Sequence, residues 1–180
     1  MRILKEESIA VIVDVQERLL PHIHENDIIL SNCLKLIEGL KILSVPILIT
    51  QQYSKGLGST VAPIVAMFPD FKFTEKISFS CYDEPVFQKE IRDSGKKDII
   101  LCGIESHVCV LQTCLDLLAA GFSPVVAEDC VSSRKPDDKR VAIERMRQAG
   151  ARITTLESLL FELTRIAGNE MFRNISRIVK

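Results

Sequence analysis

Short, continuously apolar runs alternate along this chain with longer stretches in which apolar residues recur at helical spacing. Four of the short runs, at 9–15, 45–50, 98–104 and 123–129, are rich in β-branched residues. Parallel strands show such continuous runs because helices cover both faces of their sheet. The alternation therefore predicts βαβ units with right-handed crossovers.

The stretches between these strands carry the end signals of helices. Residues 27–44 have an amphipathic pattern, and Asp27 opens it as a candidate N-cap. The runs 83–95, 106–121 and 135–150 each finish on a glycine, which favours the left-handed conformation that ends many helices. We expect a helix in each of these stretches.

Two further segments complete a sheet of six strands. The irregular stretch 53–80 predicts a short extra strand around 71–75, and residues 151–158 predict a last strand before a helix from about Glu157. The expected fold class is α/β, a three-layer, doubly wound (Rossmann-like), mainly parallel six-stranded sheet with helices on both faces. With 180 residues and no visible linker, we expect a single domain over residues 1–180.

Composition and charge narrow the function classes. The net charge is −1, from 23 basic and 24 acidic residues mixed along the chain, so nothing favours a nucleic acid or a membrane as partner. We expect a small-molecule substrate. The N-terminal residues lack the apolar region of a signal peptide, so the expected location is cytoplasmic. The six cysteines are then reduced thiols, most of them core residues.

Three side chains lie where a parallel sheet binds ligands, beyond the carboxyl ends of its strands. Asp14 ends the first strand, Lys76 follows the extra strand, and Cys109 begins the helix after the strand 98–104. The helix dipole at Cys109 favours a thiolate, and nearby N–H groups can hold an oxyanion. Asp14 can take the thiol proton and Lys76 can stabilise the charge. Against this, Asp14 as a turn cap and Cys109 as core filling remain open.

Histidines offer other arrangements. His107 is two residues from Cys109, a spacing that points side chains apart on a helix. His22 and His24 with Asp14 would suit a catalytic zinc, but the segment "PHIHEND" equally resembles a solvated turn. We expect no metal site and no cofactor.

At these residues the sequence resembles the isochorismatase-like cysteine hydrolase superfamily, from about Ser8 to Leu163. The resemblance lies in "AVIVDVQ" with the family's aspartate at Asp14, "EKISFSCYD" with its lysine at Lys76, and "LCGIESHVCVLQTCLDLLAAGF" with its cysteine at Cys109. The segments "DVQERLLPHI" and "TQQYSKGLG" are most similar to the uncharacterised isochorismatase-domain hydrolases.

The resemblance implies a catalytic triad of Asp14, Lys76 and Cys109 that cleaves an amide-like bond through a thioester. It places the oxyanion hole at the backbone N–H groups of Glu105 and Cys109, and a cis peptide between Ile104 and Glu105. Nicotinamidases of the family bind a metal through histidines after the second strand, where this chain has none. The resemblance also implies a homo-oligomer.

The walls of a substrate pocket are predicted from strand ends and aromatic residues. Gln16, Gln51 and Gln52 are candidates because they lie where strands meet loops, and surface exposure is the equal alternative. Phe79 and Tyr82 are candidates for an apolar wall, with core packing as the alternative. Arg134 is expected to face solvent rather than to bind an anionic substrate.

Three hypotheses follow from these residues. The leading one is a metal-independent cysteine hydrolase of a small amide or other C–N bond substrate, with a thioester on Cys109. In the second, Asp14 is the acid of an isochorismate-type vinyl-ether hydrolase and Cys109 is idle. The third is a non-catalytic binding or redox-sensing protein on the same fold.

Overall fold

A computed structural model describes residues 2–180 of the chain. Its strands are β1 (Ser8–Val13), β2 (Ile47–Gln52), β3 (Thr74–Lys76), β4 (Asp98–Ile104), β5 (Ser123–Ser132) and β6 (Arg152–Thr154). Its α-helices are α1 (Asn26–Ile42), α2 (Ser54–Leu57), α3 (Ala62–Val65), α4 (Pro85–Asp93), α5 (Leu111–Ala119), α6 (Pro136–Ala149), α7 (Leu156–Thr164) and α8 (Glu170–Val179). A π-helical turn, Ser106–Val110, leads directly into α5.

Residues 2–180 form one six-stranded, entirely parallel sheet in the order β3-β2-β1-β4-β5-β6. The chain runs outward from β1 to β3 and then returns to the other side of β1 as β4. The strand order therefore reverses between β1 and β4, and such a switch point opens a crevice at the carboxyl ends of the two strands. The predicted doubly wound α/β fold is confirmed.

Both faces of the sheet are covered, which explains the continuous apolar runs. Ala10 and Ile12 of β1 face one hydrophobic core, built with α1, α7 and α8. Val11 and Val13, the alternate residues, face a second core with α4, α5 and α6. Because successive side chains of a strand point to opposite faces, a strand between two helical layers must be apolar at every position.

Several boundaries differ from those predicted. Strand β2 is shifted by two residues, so Gln51 and Gln52 belong to the strand, and β3 begins at Thr74 rather than near residue 71. The Asp27 N-cap was wrong: Glu25 occupies that position in a left-handed conformation and its side chain makes no capping bond. At these ends the apolar pattern no longer separates the strand or helix from the adjoining loop, so it does not mark the boundary.

The glycine signals were correct. Gly95, Gly121 and Gly150 follow α4, α5 and α6 with positive φ angles of 65°, 87° and 107°. At the C-terminus, Ile175 and Ile178 of α8 are buried in the same core as α1, so this helix covers its own sheet. Within residues 2–180, no helix combines the length and the apolar character that crossing a membrane requires.

Candidate active site

Asp14 and Lys76 form a buried ion pair at the switch point. Asp14 directly follows β1 with a positive φ of 50°, and Lys76 is the last residue of β3. The carboxylate Oδ2 lies 2.6 Å from the ammonium Nζ, and both side chains are fully buried. Burial is the largest single influence and lowers the pKa of Lys76, but Asp14, Cys81 and Cys109 together outweigh it and raise the pKa. Lys76 is therefore an ammonium at neutral pH.

Lys76 has four polar partners for its three N–H groups. Nζ donates to Gln52 Oε1 at 2.7 Å and to the carbonyl oxygens of Ser78 and Phe79 at 3.2 and 3.0 Å. Asp14 Oδ2, at 2.6 Å, shares the same three N–H groups. Apart from Lys76 and the Cys109 thiol, the fully buried Oδ2 has no hydrogen-bonding partner among residues 2–180. It remains free to receive a proton.

The thiol of Cys109 faces this oxygen. Cys109 lies in the π-helical turn, is 6% exposed, and donates from Sγ to Gln52 Oε1 at 3.6 Å. Burial first, and then the charge and hydrogen bonding of Asp14, raise the pKa of Cys109, while Lys76 opposes the shift. This direction is opposite to the thiolate expected from the helix dipole, because burial and the Asp14 charge both disfavour a negative charge on the sulfur. Nucleophilic attack by Cys109 therefore needs a base that takes the thiol proton.

The backbone before Cys109 turns sharply. The peptide bond between Ile104 and Glu105 is cis. The carbonyl oxygen of Glu105 then accepts from the N–H groups of Val108 and Val110 at 3.1 and 3.2 Å, the second closing a π-helical turn. This wide turn brings Glu105 and Cys109 to the same cavity. The role of their N–H groups as an oxyanion hole stays a prediction.

The cavity above the thiol has a volume of about 100 Å³. Its walls are mostly apolar, and its lining residues are Leu19, Gln52, Leu57, Phe79, Glu105, Val108 and Cys109. A larger cavity of about 270 Å³ lies beside the edge strand β3 and includes none of the predicted triad. We place the site at the smaller cavity because the ionisable groups converge there.

Two of the five predicted wall residues, Gln52 and Phe79, belong to this lining. Gln16 is buried and joins loops, donating to the carbonyl oxygens of Gln52 and Gly58. Gln51 accepts from both donors of Thr60. The other three candidates, Gln16, Gln51 and Tyr82, thus lie outside the lining, and the hydroxyl of Tyr82 accepts from the Arg92 guanidinium.

Two polar residues of the site had weaker signals in the sequence. Gln52 was grouped with the other glutamines, although only its carboxamide contacts both Lys76 and Cys109. Glu105 was assigned through its backbone, yet the residue lines the cavity and its carboxylate pairs with Arg134 at 3.1 Å. Arg134 is exposed, as expected, but it is not free of contacts.

The histidines lie elsewhere. His107 Nδ1 is 2.9 Å from Ser133 Oγ, and its Nε2 is 3.9 Å from Asp138, so it points away from Cys109. His24 is 3.8 Å from Glu25. In the part of the chain that the structure describes, no three His, Cys, Asp or Glu side chains are grouped to hold a metal ion. The arrangement of His22, His24 and Asp14 considered for zinc is not formed.

Comparisons with known proteins match the whole fold. A sequence model described as the isochorismatase domain matches residues 8–158. The secreted isochorismatase effector Isc1 of Phytophthora sojae is 38% identical over 184 residues, which cover 99% of this chain and 87% of that protein.

Solved structures are similar over almost the full length. The MAR1 ribonuclease from Caenorhabditis elegans has a TM-score of 0.92 at 34% identity, covering 99% of this chain and 92% of that one. The YcaC gene product from Escherichia coli, an octameric hydrolase of unknown specificity, has a TM-score of 0.93 at 27% identity, with 99% and 89% covered. YcaC from Pseudomonas aeruginosa, with hexane-2,5-diol and covalent acrylamide, has a TM-score of 0.91 at 28% identity, with 97% and 89% covered.

Proposed function

The chain belongs to the isochorismatase family of hydrolases, and from this membership and the geometry of the site we propose that it is a metal-independent cysteine hydrolase of small amides or related C–N bond substrates. One observation carries the proposal. A buried carboxylate oxygen, Asp14 Oδ2, has an ammonium 2.6 Å away and lies beside the Cys109 thiol, whose pKa is raised by burial and by the charge and hydrogen bonding of Asp14.

In this mechanism Asp14 is the base that activates the nucleophile. As the Cys109 sulfur attacks the carbonyl carbon, the thiol proton passes to Asp14 Oδ2 and negative charge moves to the substrate oxygen. The N–H groups of Glu105 and Cys109 would hold this oxyanion. Lys76 stays beside Asp14 as its ion-pair partner and is held in place by its bonds to Gln52, Ser78 and Phe79.

The second half of the reaction reverses the proton transfers. Protonated Asp14 gives its proton to the departing nitrogen, so that ammonia or an amine leaves and a thioester remains on Cys109. Asp14 then takes a proton from the water that attacks the thioester, and it returns this proton to the Cys109 sulfur as the C–S bond breaks and the carboxylic acid leaves. The net reaction consumes one amide and one water and yields one carboxylic acid and one amine.

The comparisons support parts of this proposal. A covalent acrylamide in the Pseudomonas aeruginosa neighbour supports a reactive group able to meet a small amide on this fold. The octameric neighbour supports assembly of this chain as a homo-oligomer. The small, mostly apolar cavity supports a small-molecule substrate.

The vinyl-ether alternative is weaker at this site, because it would leave the Cys109 thiol, which lines the cavity, without a role. A non-catalytic role would leave the buried ion pair of Asp14 and Lys76 beside that thiol without a function, although buried charges are costly to keep.

An ammonia-release screen tests the proposal. Purified protein is incubated with small amides, ureas and carbamoyl compounds beside Cys109→Ala, with Cys114→Ala as the matched control. Cys114 is also a buried thiol but lies in α5, outside the cavity lining. We expect release that Cys109→Ala abolishes and Cys114→Ala retains. Equal release from the Cys109 variant, or none from the wild type across the panel, would contradict it.

A further inference from the structure

Glu105 carries a partly paired carboxylate beside the cavity. The residue belongs to the lining next to Cys109, and its side chain is 8% exposed. Oε2 accepts two hydrogen bonds from Arg134, from the backbone N–H at 3.0 Å and from Nε at 3.1 Å. Oε1 accepts none from the residues that the structure describes, 2–180. One oxygen is thus fixed and the other is available.

The remaining polar groups of the lining are already engaged. Gln52 Oε1 accepts from Lys76 and Cys109, and its Nε2 donates to the carbonyl oxygen of Ile77 at 2.7 Å. Leu19, Leu57, Phe79 and Val108 are apolar. Among the lining side chains, Glu105 Oε1 is therefore the acceptor left for a ligand, and a poorly solvated acceptor without a donor is costly.

The ion pair with Arg134 decides which ligand fits. Arg134 is 59% exposed at its side chain and neutralises the Glu105 charge from the solvent side. Oε1 then acts as a strong hydrogen-bond acceptor rather than as an uncompensated charge. Asp14 and Glu105 together still disfavour an anionic group inside the cavity, because its charge would meet two carboxylates in apolar surroundings.

We propose that Glu105 Oε1 accepts an N–H of the substrate's amide nitrogen and so selects neutral N–H amides with a short apolar acyl group. This inference deepens the proposed function and rests on it. The cavity of about 100 Å³ is smaller than an engineered apolar cavity of about 150 Å³ that holds benzene, so it favours a short acyl group. Esters and tertiary amides lack the donor and should be discriminated against.

The variant Glu105→Gln tests this hypothesis directly. A carboxamide has one acceptor oxygen and one donor nitrogen. Both Arg134 groups that face Oε2 are donors, so the oxygen of the new glutamine must turn toward them. Its NH₂ group then faces the cavity, and the position that offered an acceptor offers a donor. The preference between an amide and an ester should therefore reverse.

The test uses acrylamide and methyl acrylate as paired probes of Cys109. In both additions the sulfur forms a bond to the β-carbon, the C=C π bond breaks, and the thiol proton ends on the α-carbon. Only acrylamide carries N–H donors. Rates are followed by intact mass, assigned to Cys109 by peptide mapping, and divided by the rates for glutathione.

We expect the wild-type protein to favour acrylamide over methyl acrylate by about 10-fold or more relative to glutathione. Glu105→Gln should lower this ratio by about 10- to 100-fold. Glu128→Gln, a matched change on an exposed carboxylate paired with Arg147, should leave it unchanged. A wild-type ratio equal to that of glutathione, or an unchanged ratio in Glu105→Gln, would overturn the proposal. The wild-type ratio decides alone if the variant does not fold.

This readout separates the inference from the proposed function. The additions require a reachable thiol and recognition of the probe but no hydrolysis. An acrylamide preference with no ammonia release would leave recognition by Glu105 standing and remove the hydrolase proposal. Ammonia release without the acrylamide preference would support the hydrolase proposal and overturn recognition by Glu105.

Discussion

Thr50 shows how a single buried hydroxyl can orient the charged groups of the site. It lies in β2, next to β1, and donates from Oγ1 to Asp14 Oδ1 at 2.8 Å. Its hydroxyl is also 3.6 Å from the Cys81 thiol. Because Oδ1 is fixed in this way, Oδ2 is left facing Lys76 and Cys109. Thr50 is thus a positioning residue for the proposed base.

Replacing Thr50 tests that role. Thr50→Val keeps the shape but removes the hydroxyl, so Asp14 can rotate away from the thiol. We expect kcat to fall about 10- to 100-fold with little change in KM, because a hydrogen bond to a charged group contributes about 1.5–3 kcal/mol. Thr50→Ser retains the hydroxyl and should restore most of kcat. Steady-state kinetics on the best amide of the screen measures both, and a wild-type kcat in Thr50→Val would contradict the role.

At this scale the sequence was informative where a polar residue interrupted an apolar pattern. Asp14 is the one charge in the apolar run 9–15, and Cys109 follows β4, a strand that is buried at every position, so both could be assigned to the switch point. The roles of Gln52 and Glu105 could not be predicted, because they depend on side-chain rotamers that the sequence pattern does not specify. The carboxamide of Gln52 turns to Lys76 and Cys109, whereas the carboxamide of Gln16 is used between loops.

Among the elements, β1 and β4 set the position of the site. They pair in parallel from Ser8 with Asp98 to Val13 with Gly103, and each ends at a residue that leads into the site. Their apolar runs made both strands predictable. The π-helical turn between β4 and α5 was not, since helical spacing continues through it and the wider turn depends on the fit of residues 105–110 against the sheet.

Gly103 is the point where this pairing allows no side chain. Its φ is +115°, and a Cβ there would lie 2.1 Å from the carbonyl oxygen of Val13. We expect Gly103→Ala to lower the free energy of unfolding by several kcal/mol, because both backbones must move apart. It should also reduce activity, since Asp14 follows Val13 and the turn to Cys109 follows Gly103.

Gly95→Ala is the matched control for this prediction. Gly95 also has a positive φ, +65°, but a Cβ there would meet nothing within 4 Å. It should cost only about 1–2 kcal/mol, the usual penalty of the left-handed conformation, with activity retained. Urea unfolding of both variants measures the difference. Equal losses would mean that the close approach of β1 and β4 is unimportant.

At the scale of the whole molecule, the two cores hold a set of buried thiols. All six cysteines are free and buried. The apolar patterns predicted both the fold and this core role for most cysteines, because a sheet covered on both faces leaves small apolar sites along its strands and helices. What they could not predict is how strongly burial acts on the thiols, which depends on how completely the surrounding layers exclude water.

Burial raises the pKa of these thiols and so favours their protonated form. It raises the pKa of Cys81 to about 11, with a further contribution from the Asp14 charge, and that of Cys114 to about 12. Hydrogen bonding with Cys33 and burial raise the pKa of Cys102 well above 9.0, and burial does the same for Cys130. The folded protein therefore keeps protons that the unfolded chain releases near pH 9.

Stability should consequently fall at alkaline pH. A thiol whose pKa is raised by folding stabilises the fold fully below the unfolded value, and this contribution is lost as the pH rises toward the folded value. Each such thiol should lower the free energy of unfolding by roughly 1 kcal/mol per pH unit above about pH 9. Urea unfolding in the presence of reductant at about pH 8, 9 and 10 measures how the free energy of unfolding changes with pH.

The control variant Cys114→Ala removes one titrating thiol. Its free energy of unfolding should therefore fall less steeply with pH, by the contribution of one thiol, whatever its stability at pH 8. A midpoint that stays constant from about pH 8 to 10 would show that the thiols titrate alike in both states, and the layers over the sheet would then admit water.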